Sequence, residues 1–243
     1  MRAGTPRGPQ GPTPVAVLAS GGGTNLQALI DHFKGPSSSA CARIALVVSD
    51  RPDAGALERA TRAGIASEVV EVRGRDSAEV ARELLALFER HDIGIVALAG
   101  FLRLVPVEIV RHFRGRIVNV HPALLPAFGG AGYYGARVHR ALIEAGVTVT
   151  GATIHLVEEE YDTGRILAQW PVPVLAADTP ETLAARVLEV EHVLYPVVLE
   201  ALADQLAGRE GSGGLRESEA TGRGFLPTNR APTIGEVRAA LGL

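Results

Sequence analysis

The stretch Val15-Ala16-Val17-Leu18-Ala19-Ser20-Gly21-Gly22-Gly23-Thr24-Asn25-Leu26 decides how the fold is read. Its first five residues are apolar and partly β-branched, as a buried strand requires; three glycines then turn the chain into a run with helical spacing over residues 26–33. The same alternation recurs. Residues 44–49, 68–72, 93–97 and 117–120 read as strands, and residues 56–63, 78–90 and 107–113 as the helices between them, with Pro106 suited to a helix start. This predicts a doubly wound, mostly parallel, Rossmann-like α/β sheet whose ligands sit beyond the carboxyl ends of the strands. From Val147 the pattern changes to two extended runs, 147–157 and 166–174, which read as an added antiparallel pair. A long final helix follows, with Thr179 as its cap and Pro180 at its first position.

Around this unit the chain is organised in three parts. Residues 1–14, rich in Gly and Pro and lacking the apolar centre of a secretory signal, read as a flexible leader; residues 15–205 read as one domain. Residues 206–243 read as a polar tail that ends in a short helix, since Ile234, Val237, Ala240 and Leu241 have helical spacing. With 24 basic and 27 acidic residues well mixed, the net charge of −3 provides no footprint for nucleic acid or an anionic membrane. The single cysteine, Cys41, cannot close an internal disulfide, which suits a cytoplasmic protein. Small-molecule substrates are the expected partners, and the chain reads equally as a monomer or a homodimer.

Three motifs carry chemistry. The loop from Ser20 to Asn25 joins a strand to a helix, so its glycines admit a ligand close to the backbone and the free amides of the helix start favour an anion. It lacks the lysine of a P-loop, and Leu26 stands where a dinucleotide fingerprint needs a small residue, so a phosphate monoester fits best; Asp50 alone still favours a dinucleotide. Ala99-Gly100-Phe101-Leu102-Arg103-Leu104-Val105 follows the fourth strand, where apolar side chains around a glycine suit a flat heterocycle. Asn119-Val120-His121-Pro122 ends the fifth strand, and alternation sends Asn119 and His121 to one face. With Asp162 in the turn Tyr161-Asp162-Thr163-Gly164, they supply an amide, an imidazole and a carboxylate, the parts for acyl transfer through an oxyanion. A zinc set drawn from His121, His139, His155 and Asp162 lacks the close ligand pairing of known zinc motifs, so no metal is expected. His155 reads either as a residue turned beneath the site or as a hydrogen-bonded structural histidine.

Taken in order, these motifs resemble the folate-dependent glycinamide ribonucleotide formyltransferases over about residues 15–203, and Glu191-His192-Val193-Leu194-Tyr195-Pro196 completes the series. The resemblance implies transfer of a formyl group from 10-formyltetrahydrofolate, a co-substrate, to the amine of glycinamide ribonucleotide, with Asn119, His121 and Asp162 as catalytic residues. It implies that Gly22, Gly23, Thr24 and Asn25 hold the substrate phosphate, that Gly100 and Pro122 border the substrate, and that Glu191 contacts its ribose. Leu102, Arg103, Leu104 and Val105, with Asn119, Val157, Glu158, Tyr161 and Asp162, would form the folate cleft. Departures lie in the glycine- and tyrosine-rich stretch 127–137, which stays outside this expected site, and at Asp50, where relatives often carry asparagine. Arg73 and Arg75 are the candidates for meeting the folate glutamate tail. Formyltetrahydrofolate deformylase and a non-catalytic nucleotide-binding module are the alternative readings.

Overall fold

A computed structural model describes residues 11–35, 41–208 and 231–243. Most of the expected leader and the polar part of the tail, residues 1–10 and 209–230, lie outside the described residues. The strands are β1 (Thr13–Leu18), β2 (Ala42–Ser49), β3 (Ala66–Val69), β4 (Ile95–Leu98), β5 (Ile117–His121), β6 (Val149–Leu156) and β7 (Ile166–Pro173). The helices are α1 (Thr24–Lys34), α2 (Gly55–Ala63), α3 (Ser77–Arg90), α4 (Val107–His112), α5 (Ala136–Glu144), α6 (Pro180–Leu206) and α7 (Ile234–Leu241).

These strands form one sheet in the order β3-β2-β1-β4-β5-β6-β7. The first five are parallel, and β6 and β7 add on antiparallel beside β5. Alternation divides the core in two. Val15, Val17, Ala97 and Val118 face α1, α5 and α6 on one side; Ala16, Leu18, Val96 and Ile117 face α3 and α4 on the other. Because the chain adds β2 and β3 on one side of β1 and β4 and β5 on the other, the winding order reverses between β1 and β4. The crevice outside their carboxyl ends is where such sheets bind ligands.

Two elements differ from the sequence reading, and a third packs more closely than its sequence shows. The expected strand 68–72 is Ala66–Val69, because its partner β2 ends at Ser49 and leaves Val70 only one backbone bond, to the Ser49 carbonyl. Helix α5 was not anticipated. Its apolar anchors Val138 and Leu142 are four residues apart, but the preceding glycine-rich stretch supplies no side-chain cap to announce it. Helix α7 forms as expected, closed by a Thr233–Glu236 capping box, yet it is not a free appendage: Val237 is fully buried in the core that α6 shares. There Arg238 pairs with the buried Glu200 of α6, which also meets His32 Nε2 at 3.2 Å. Among the described residues no helix is long and apolar enough to cross a membrane.

Candidate active site

Four loops meet at the carboxyl ends of β1, β4 and β5. After β1 the chain turns at Gly23, whose φ of 72° is left-handed and where a Cβ would lie 2.7 Å from the Ala56 Cα, so only glycine allows α2 to pack on this turn. Helix α1 then starts at Thr24 without a side-chain cap, leaving its first amides free. Arg59 Nε donates to the Gly22 carbonyl at 2.7 Å and holds the turn from outside. The Gly100 carbonyl accepts from the Ser20 amide at 3.1 Å, and the Ser20 hydroxyl accepts from the Leu102 amide at 2.9 Å, so the two loops are joined.

Sheet register builds the polar centre. In the antiparallel β5–β6 pair, Asn119 lies opposite His155 and His121 opposite Thr153. Asn119 Nδ2 therefore stands 3.0 Å from His155 Nε2. His155 Nδ1 lies 2.8 Å from the Leu156 carbonyl, which can only accept, so the hydrogen-bond network assigns the proton to Nδ1. Nε2 then accepts from the Asn119 amide and fixes its orientation. By the same argument His121 carries its proton on Nε2, donating to the Phe128 carbonyl at 2.8 Å, while Nδ1 faces Asp162 Oδ2 at 3.5 Å. Asp162 has a left-handed φ of 56° and accepts from the Gly130 amide at 2.8 Å, with His155 Nε2 3.5 Å from its other oxygen. One layer below, Thr153 donates to the Ala123 carbonyl and accepts from the Leu125 amide, pinning the turn that follows Pro122.

The electrostatics are set by burial. Desolvation lowers the pKa of His121, with Asp162 and the Phe128 carbonyl partly offsetting it. Burial alone would raise Asp162, but His155, the Gly130 amide and His121 together hold it below its usual value. Glu191, wholly buried on α6, is pushed up to about 7 by desolvation, against a 2.6 Å hydrogen bond from Asn25 Nδ2.

These groups line one cleft of about 640 Å³. Asn119, His121 and Asp162 lie in it with Asn25, Gly100, Pro122 and Glu191, and so do Leu102, Arg103, Leu104, Val105, Val157, Glu158 and Tyr161. Gly22, Gly23 and Thr24 are not among its lining residues, nor are Arg73 and Arg75; Arg75 is held by Glu83 at 2.7 Å. Arg103 lines the cleft but is tied to the buried Asp50 at 2.7 Å. Leu102, Leu104 and Tyr161 are exposed by 46%, 48% and 43%, so one arm of the cleft presents bare apolar surface, as a flat heterocycle requires. His155, Phe128 and Gly130 are the contributions missing from the expected site. The last two belong to the 127–137 stretch set aside for its unfamiliar composition, and only their backbone groups reach the centre, which side-chain identity does not reveal. Among the described residues, no group of three His, Cys, Asp or Glu side chains is placed to hold a metal ion.

An open α/β sheet thus brings an amide, two imidazoles and a carboxylate together in one cleft beyond its strand ends. The chain belongs to the formyl transferase family, which matches residues 13–199. It is 45% identical over 193 residues to a chloroplastic phosphoribosylglycinamide formyltransferase of Arabidopsis thaliana, covering 79% of this chain and 65% of that one. To the phosphoribosylglycinamide formyltransferase of Escherichia coli it is 39% identical, covering 78% of this chain and 87% of the relative. A crystal structure of the Brucella melitensis phosphoribosylglycinamide formyltransferase superimposes with a TM-score of 0.72 at 41% identity, covering 79% of this chain and 96% of that one.

Proposed function

We propose that this protein transfers the formyl group of 10-formyltetrahydrofolate to the amine of glycinamide ribonucleotide, a step of purine biosynthesis. The observation that carries the reading is the position of Asn119, His121 and Asp162 where two arms of one cleft meet. The arm of Leu102, Leu104, Val105, Val157 and Tyr161 is apolar beside the Asp50-paired Arg103, and the arm of Asn25 and Glu191 is polar. The apolar arm suits the folate, a co-substrate consumed at each turnover. The free amides of α1, beside Gly22, Gly23 and Thr24, suit the phosphate of the ribonucleotide.

The chemistry follows from the proton positions. The substrate amine attacks the formyl carbon, forming the new C–N bond while the carbonyl pair moves onto oxygen. Asn119, oriented by His155, donates its second N–H to that oxyanion, an interaction worth about 3–4 kcal/mol. His121 enters the reaction neutral, because burial lowers its pKa. Through Asp162 it takes up the proton that the attacking amine loses, so the imidazolium lasts only as long as the oxyanion it stabilises. Asp162 passes the proton of the attacking amine, directly or through water, to the folate nitrogen that leaves when the tetrahedral centre collapses. The reaction needs no covalent enzyme intermediate, and the lone cysteine, Cys41, is buried against the Glu200 carbonyl, away from these groups. Residues 15–205 would act as the catalytic unit in a reducing, cytoplasmic setting.

Incubation with 10-formyldideazafolate tests this directly. Loss of the formyl group only when glycinamide ribonucleotide is added supports the transferase. Loss without it identifies a deformylase, and no loss with folded protein leaves a binding module.

A further inference from the structure

Five buried side-chain polar atoms have no hydrogen-bond partner among the described residues: Asn25 Oδ1, Asp50 Oδ1, His139 Nδ1, Thr150 Oγ1 and His192 Nε2. Leaving a buried polar group unpaired costs stability, so each such atom calls for a reason. Asn25 and His139 are the two of these residues that line the cleft. Asn25 already engages Glu191 through its amide. The His139 ring makes no hydrogen bond within the described residues, although the residue is only 5% exposed.

Its placement follows from helix α5. Val138 and Leu142, one turn apart, sink into the core beneath the helix, and His139 is carried about 100° round from Val138 to the cleft wall. Burial holds its pKa down at about 4, and the neighbouring His121 adds to the effect. At neutral pH the ring is therefore uncharged, with one nitrogen donating and the other accepting. Such a ring is poorly matched to a phosphate and well matched to a hydroxyl or carboxamide.

The two faces of the sheet decide which substrate it meets. His139, Asn25 and Glu191 come from α5, α1 and α6, whose apolar sides share one core. Phe101, Val105 and Val157, from the apolar arm, pack with the core on the opposite face. We infer that His139 is a binding residue for the amine substrate, hydrogen-bonding an uncharged hydroxyl or carboxamide of the ribonucleotide. This rests on the substrate reading proposed above. The ring is left without a partner in the free protein, and a ligand in the cleft supplies one.

The test is His139→Leu, which removes the polar atoms and keeps an apolar side chain. If the ring is unsatisfied in the free protein, the variant melts at the same temperature or higher. Its dissociation constant for glycinamide ribonucleotide, measured calorimetrically without folate, should rise about tenfold, and KM should rise with it while kcat changes little. His139→Gln, which restores a donor and an acceptor, should recover part of the affinity. A lower melting temperature for His139→Leu overturns the inference, since the ring would then be satisfied within the fold, and so does an affinity within twofold of wild type. Wild-type protein that fails to bind the ribonucleotide sinks the functional reading instead, and does so before any variant is made.

Discussion

Two buried histidine–carboxylate groupings sit at the two ends of α1, and they differ in what compensates the carboxylate. At the far end, Glu200 projects from a helix, is 1% exposed, and faces both His32 and the guanidinium of Arg238. In the cleft, Asp162 projects from a loop, accepts from one backbone amide and has two imidazole nitrogens 3.5 Å away, with no permanent cation among its hydrogen-bond and ion-pair partners. The first grouping sets a permanent cation against its carboxylate. The second leaves its proton free to move, since an imidazole gains or loses charge near neutral pH while a guanidinium does not. On the proposed function, the same residue types serve structure where a cation closes the network and chemistry where none does.

Asp162→Asn breaks the cleft grouping and carries the largest expected effect. The turnover number should fall by about 10²–10⁴-fold with the melting temperature nearly unchanged, read from formyl transfer and calorimetry on one sample. Turnover within threefold of wild type would remove Asp162 from the mechanism. Glu200→Ala breaks the other grouping with the opposite signature. Removing the buried carboxylate of this half-buried ion pair should lower the unfolding free energy by about 1–3 kcal/mol in denaturant titrations and leave turnover per folded molecule unchanged.

A pH titration sharpens the contrast within the cleft itself. Glu191 has a folded pKa of about 7, above its ordinary value, so its protonated form stabilises the fold. That contribution is full below about pH 4.5 and is lost as pH rises through 7, a change of about 3 kcal/mol. His121 runs the other way: its lowered pKa makes a contribution that is present above about 6.5 and lost on acidification. Wild type compared with Glu191→Gln should therefore lose relative stability between pH 4.5 and 7 and level off above. A flat difference would mean that Glu191 titrates as an ordinary carboxyl. The smallest effect belongs to Val237→Ala, which trims the contact of α7 with α6. Burial of two methyl groups predicts a loss of about 1–2 kcal/mol without change in KM. No loss would show that the Arg238–Glu200 pair alone docks the helix.

How much of this was legible in the sequence depends on whether a feature is local. Strands β1, β2, β4 and β5 declare themselves through β-branched runs, and α6 through Thr179 and Pro180, because pattern and cap are set by neighbours along the chain. Strand β3 slipped because an edge strand ends where its partner ends, a fact about β2. Helix α5 escaped because its anchors are few and its start is uncapped.

In the site, motif order alone was enough to single out Asn119, His121 and Asp162. His155 had two open readings, and the register that sets it opposite Asn119 exists only once β6 pairs with β5. Phe128 and Gly130 act through a carbonyl and an amide, which every residue but proline possesses, so no side chain marks them.

By itself the sequence determined the alternation of strands and helices, the glycine turn before α1, and the amide, imidazole and carboxylate set out in order along the chain. Only the tertiary structure decided the tautomers of His121 and His155, the burial that shifts Glu191 and His139, and the docking of α7 onto Glu200. Each of these depends on what lies across space from a group, and a linear pattern records only what lies beside it along the chain.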